Sequence, residues 1–134
     1  MSYLLDTNVL WEGRRRSPEA VAWLRAVDPA SLFVSVITIG EIAKGITQRA
    51  RTDPVAAAAL EAWLDTLGIS YAERILPIDQ AVAIAWGRIM AQRTRPVVDA
   101  LMAATARVHN LVLVTRNVTD FAGCGIDVVD PWAA

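Results

Sequence analysis

Two patterns of apolar residues alternate along this chain. Short continuous runs end on acids or turn-forming residues, the signature of strands buried on both faces of a sheet. Longer stretches carry apolar residues three and four positions apart, the signature of helices with one buried face. Runs of the first kind cover 2–6, 32–36, 74–78, 111–115 and 126–129. Between them, Ser17-Pro18 reads as a helix start, and Val21, Trp23, Leu24 and Val27 form its apolar stripe until Asp28-Pro29. Thr38-Ile39-Gly40-Glu41 matches a capping box and opens a helix through about residue 49. Asp53-Pro54 starts another, to about Leu67, and Asp79 caps a third that Thr94-Arg95-Pro96 breaks. Residues 97–109 form a last helix leading into the 111–115 strand. This alternation predicts an α/β fold, one domain over 1–134, with a central, mainly parallel sheet of four to five strands flanked by helices.

Composition narrows the chemistry. Apolar residues make up 54% and charged residues 20% of 134, a globular balance. No apolar run is long enough to span a bilayer, and Asp6 interrupts the first one too early for a signal peptide, so a cytoplasmic protein with no membrane contact is expected. The single Cys124, between Gly123 and Gly125, excludes an internal disulfide or a Cys-based zinc site. A lone His109 excludes a multi-histidine centre, and no serine lies in a nucleophile-elbow sequence. Acid–base work falls to carboxylates. The net charge of −1 argues against coating nucleic acid nonspecifically. Positive charge is nonetheless clustered at Arg14-Arg15-Arg16, at Arg49 and Arg51, and at Arg93 and Arg95, and all of it except Lys44 is arginine. Solvated arginines at helix ends are the simpler account, with phosphate contacts the second.

Most acids have structural explanations. Asp28, Asp53, Asp65, Asp79 and Glu19 sit at helix ends or on exposed faces. Asp6 follows Tyr3-Leu4-Leu5 at the mouth of the core, where it serves as a cap with Thr7 and Asn8 or as a ligand. Glu41 is the reciprocal acid of the capping box, and those two roles compete for one side chain. Asp99 lies in an Ala-rich, almost uncharged helix, partly buried near its amino end, and so needs a partner, a hydrogen bond or a cation. Asp120 and Asn117 follow a buried strand, where turn chemistry also suits them. Jointly, two acids at strand ends and two in first turns of helices gather at the carboxyl edge of a parallel sheet, where such sheets bind ligands. Clustered carboxylates there suit Mg²⁺ or Mn²⁺.

Four segments carry a resemblance. Leu5-Asp6-Thr7-Asn8-Val9-Leu10, Ser35-Val36-Ile37-Thr38-Ile39-Gly40-Glu41-Ile42, Asp99-Ala100-Leu101-Met102-Ala103-Ala104-Thr105-Ala106 and Thr115-Arg116-Asn117-Val118-Thr119-Asp120-Phe121 resemble, in order, the motifs of PIN-domain ribonucleases, specifically VapC-type toxins. One departure is Arg95 before Pro96, where relatives often carry glycine. The resemblance implies a three-layer PIN-like fold and a metal-dependent endoribonuclease that forms the toxic half of a toxin–antitoxin pair. It further implies that Asp6, Glu41, Asp99 and Asp120 are catalytic and converge on one or two Mg²⁺ or Mn²⁺ ions, with Asp6 and Asp99 the most direct ligands. Thr7, Asn8, Thr115 and Asn117 then orient those carboxylates, and Arg14, Arg15 and Arg16 become RNA-contacting groups. Implied partners are RNA, a VapB-type antitoxin, operator DNA only through that antitoxin, and a second copy in a homodimer. Trp11, Trp23, Trp63 and Trp86 are core residues, of which one or two line the antitoxin groove. A Mg²⁺-dependent phosphatase is disfavoured because Thr7 and Asn8 stand where such enzymes place a second aspartate. The remaining alternative is a catalytically silent PIN-like subunit of an operon-regulating DNA-binding complex.

Overall fold

Among the described residues, 1–133 of this computed structural model, five strands alternate with six α-helices. In chain order these are β1 Tyr3–Leu5, α1 Thr7–Arg14, α2 Pro18–Ala26, β2 Leu32–Ser35, α3 Val36–Ala50, α4 Pro54–Ser70, β3 Ile75–Leu76, α5 Gln80–Gln92, α6 Val97–Val108, β4 Val112–Val114 and β5 Val128–Val129. The strands form one parallel sheet in the order β3-β2-β1-β4-β5. Central β1 pairs Leu4 with Phe33 on one side and with Leu113 on the other. The chain winds outward from β1 in both directions, so a crevice opens where the direction changes, beyond the carboxyl ends of β1 and β4.

Successive strand residues face opposite ways, and that divides the core in two. Leu4 and Leu113 pack with Val82 and Ile89 of α5 and Met102 of α6 on one face. Leu5, Val34 and Val114 pack with Val9 of α1, Ile42 and Ile46 of α3 and Leu67 of α4 on the other. The result is the three-layer α/β/α architecture expected. No helix among the described residues is long and apolar enough to cross a membrane.

Aspartates before proline or at a turn set several helix starts as anticipated: Asp53 accepts from the Ala56 N–H at 3.0 Å and Asp79 from the Val82 N–H at 2.9 Å. Helix α2 also begins at Pro18 as expected, and three local details differ. Ser17 precedes α2 without capping it; its hydroxyl donates to Glu19 Oε2 at 3.2 Å and accepts from Trp132 Nε1 at 3.1 Å. A helix absent from the periodicity, α1, begins directly after Asp6, whose Oδ1 accepts from the Thr7 N–H at 2.8 Å. The expected capping box at Thr38 is not one. The second strand stops at Ser35, whose Oγ caps α3 by accepting from the Ile37 N–H at 3.1 Å, so Val36 opens the helix. Thr38 is therefore inside α3 and fully buried, and Glu41 lies in the helix body with no terminal N–H to satisfy.

Candidate active site at the carboxyl edge of the sheet

Asp6 is the hinge of the site. Its backbone N–H donates to Val114 O at 2.9 Å, continuing the β1–β4 ladder by one residue, and its side chain then turns into the crevice. Only 8% exposed, the carboxylate accepts from the Thr115 hydroxyl at 2.7 Å, from Asn8 Nδ2 at 3.3 Å and from the Thr7 N–H. Burial pushes the Asp6 carboxyl above its ordinary value; these hydrogen bonds oppose the shift, and nearby Glu41 and Asp120 reinforce it. Thr115 is itself fully buried, and its hydroxyl also accepts from Asn8 Nδ2 at 3.3 Å and the Asn117 N–H at 3.1 Å. All four supporting residues anticipated from sequence thus meet in one network around Asp6.

Freed from capping, Glu41 is held from across the crevice: the Thr7 hydroxyl donates to its Oε1 at 2.6 Å. Thr38 stands beside the same hydroxyl, Oγ1 to Oγ1 at 3.2 Å. Asp99, half-buried in the first turn of α6, has its carboxyl raised by burial and then by the charges of Asp6, Asp120 and Glu41. Asp120 is exposed on a short 3-10 turn, Val118–Phe121, beyond β4. A cleft of about 450 Å³ is lined by Asp6, Thr7, Asn8, Glu41, Asp99 and Asn117, with Trp11, Pro96 and Val98 as its apolar wall. Asp120 reaches this cleft through its charge and not as a lining residue. Among the described residues the ion pairs are Arg15–Glu12 and Arg49–Asp53, so no basic side chain neutralises the cleft. No three Asp, Glu, His or Cys side chains among the described residues already form a cage around one point.

Other candidates lie elsewhere. Arg14 ends α1 and Arg15 and Arg16 follow it, whereas Asp6 caps the opposite end, so about 12 Å of helix separates them from the acids. His109 caps the carboxyl end of α6, the end remote from Asp99, and is exposed. Trp23, Trp63 and Trp86 pack on the core as expected, while Trp11 packs on the core and lines the cleft. Within α1, Trp11 lies three and four residues after Asn8 and Thr7 on the same face, which brings its ring to the cleft. Arg95, grouped with solvated arginines on sequence grounds, is instead buried at 7% exposure, and nothing in the local pattern signals it. Arg116 stacks over Trp132, its Cζ 4.7 Å from the ring centroid, and ties the carboxyl-terminal Pro131-Trp132 to the segment after β4.

Comparison with known proteins agrees with this fold. The sequence model of the PIN domain matches residues 3–122. Toxin FitB of Neisseria gonorrhoeae is 32% identical, with 96% of this chain and 97% of FitB aligned. The FitAcB crystal structure from that organism superposes with a TM-score of 0.90 at 30% identity, covering 98% of this chain and 99% of its counterpart. VapC ribonuclease Y4jK of Sinorhizobium fredii is 30% identical, with 96% of each chain aligned. A toxin–antitoxin complex from Klebsiella pneumoniae superposes with a TM-score of 0.72 at 30% identity over 99% of this chain and all of the other.

Proposed function

The chain belongs to the PIN domain family, and on that footing we propose that it is a metal-dependent endoribonuclease, the toxin of a VapBC-type pair. The carrying observation is the cleft itself: Asp6 is buried and Asp99 half-buried beside Glu41, burial and then neighbouring carboxylates raise both, and no ion pair compensates them among the described residues. A hard divalent cation is the group that such oxygen donors fit. Asp6 and Asp99 would hold Mg²⁺ or Mn²⁺ most directly, and Glu41 and Asp120 would complete the shell directly or through water, around one ion or two.

When bound, the cation supplies charge neutralisation at the phosphate and a more acidic water for in-line attack. The protein's part is orientation. Thr115 and Thr7 fix which Asp6 oxygen faces the cleft, and the Thr7 hydroxyl fixes Glu41. The Trp11, Pro96 and Val98 wall limits water on the other side. Arg14, Arg15 and Arg16, at the far end of α1, would grip a phosphate further along the RNA than the scissile one. The relatives named as toxin and as part of a toxin–antitoxin complex support a VapB-type antitoxin as partner, with operator DNA reached through it, and a homodimer belongs to the same reading. The unneutralised cleft is the natural seat for a basic antitoxin side chain.

The test is cleavage of total cellular RNA by purified protein with Mn²⁺ or Mg²⁺, with EDTA, and with Asp99→Asn. Discrete fragments that need both the metal and Asp99 are expected. Cleavage indifferent to both would overturn the proposal, and RNA binding without cleavage would favour the silent binding subunit.

A further inference from the structure

Arg95 is buried without a counter-charge. Its Nη1 donates to the backbone oxygen of Asp120 at 3.4 Å and its Nη2 to that of Ala122 at 3.0 Å, while its Nε has no acceptor. Arg93 donates from Nη2 to the same Ala122 oxygen at 3.3 Å. Gly123 lies beside this guanidinium in a left-handed turn with a φ of +79°, and a Cβ there would stand in ordinary contact, 3.5 Å from Arg95 Nη2. Burying a guanidinium against carbonyls, with one donor left idle, is costly for stability alone.

The location supplies a reason. Arg95 immediately precedes Pro96 at the entry to α6, and Asp99 sits in the first turn of that helix. The carbonyl it grips belongs to Asp120 itself, which is exposed on a 3-10 turn otherwise anchored by Phe121, buried in the core one residue further on. One side chain therefore links the chain entering the Asp99 helix to the residue bearing the second acid. We propose that Arg95 is a positioning residue that fixes Asp120 relative to Asp99 and thereby sets the spacing of two carboxylates that share a cation. The proposal rests on the metal-dependent reading above. Lysine does not substitute, because a single ammonium cannot reproduce a planar fork spanning two carbonyls. Burial excludes direct contact between Arg95 and an RNA phosphate.

A double-mutant cycle tests it by isothermal titration of Mn²⁺ into wild type, Arg95→Met, Asp120→Asn and the double variant, with thermal melts confirming that each is folded. Arg95→Met should weaken Mn²⁺ binding about tenfold, as removal of an outer partner of a metal ligand does. In the Asp120→Asn background the same change should do nothing, because the carboxylate it positions is gone. Wild-type affinity in Arg95→Met, or an equal loss with and without Asp120, would overturn the proposal while leaving the metal site intact. Wild type that binds no Mn²⁺, or binds it regardless of Asp6→Asn and Asp99→Asn, would instead sink the metal reading and this proposal together. If Arg95→Met does not fold, Arg95→Lys takes its place in the cycle, with the same loss expected.

Discussion

Thr115→Val isolates the bond on which the site turns. Valine fills nearly the same volume at this fully buried position, so packing changes little and the hydroxyl alone is lost. That hydroxyl donates to Asp6 Oδ2 at 2.7 Å and accepts from the Asn117 N–H at 3.1 Å. A hydrogen bond to an ionised group contributes about 1.5–3 kcal/mol and one between neutral groups about 0.5–1.5 kcal/mol. The expected loss with Asp6 ionised is therefore about 2–4.5 kcal/mol. The sign with pH follows from the direction of the Asp6 shift. A carboxyl raised by folding favours the folded state fully only below its ordinary value of 3.8, and that contribution is lost as pH rises through the raised value. Thr115 moderates the loss, so its removal should cost most at pH 7.5 and about 1–3 kcal/mol near pH 4, where a neutral Asp6 makes only the weaker bond and the Asn117 bond is lost as before. Urea unfolding followed by tryptophan fluorescence, in EDTA at several pH values, reads this directly. A penalty that does not vary with pH, or one that persists undiminished in an Asp6→Ala background, would refute the reasoning.

Asp99→Asn should stabilise the metal-free protein at pH 7 by a few tenths to about 1 kcal/mol, since it removes a half-buried charge repelled by three others, discounted for solvent screening. The gain should vanish as pH falls through the Asp99 titration, and saturating Mg²⁺ should reverse the ranking by stabilising wild type alone, by about 2.7 kcal/mol at a hundred times its Kd; thermal melts with and without metal check both. Replacing Arg14, Arg15 and Arg16 by serine should lower the slope of log affinity against log salt for single-stranded RNA by about 2, at roughly 0.7 per phosphate contact. An unchanged slope would remove these residues from the RNA path.

The sheet was the most legible part of the chain because buried parallel strands are continuous apolar runs, and all five appear where such runs occur. Helix starts were legible where an aspartate or proline marked them, as at Asp53 and Asp79. They were misread where two signals overlapped. Ser35 and Thr38 are both good caps ahead of the same helix, and the choice went to Ser35 because the strand ends there and its hydroxyl is already beside a free N–H. That shift of two to three residues changes Glu41 from a capping acid into a cleft acid. The short helix α1 was hidden because, of its eight residues, only Val9 and Leu10 are buried. Arg95 was invisible for a different reason: its partners are backbone carbonyls some 25 residues away, and carbonyls carry no sequence signature.

The same bonds hold the fold and build the site, and this constrains both. Asp6 extends the β1–β4 ladder through its backbone, caps α1 through one carboxylate oxygen and receives Thr115 through the other. A residue chosen only for stability here would be serine or asparagine, which cap without bringing a charge into a buried crevice. Retaining an aspartate, with Glu41 and Asp99 facing it, makes the empty cleft electrostatically unfavourable. On the proposed reading, stability forgone at this edge would be recovered by a cation or a partner's basic group in the cleft, which would link its occupancy thermodynamically to the stability of the central strand pair. Substitutions that neutralise the cleft should therefore make the isolated protein more robust while uncoupling its stability from metal.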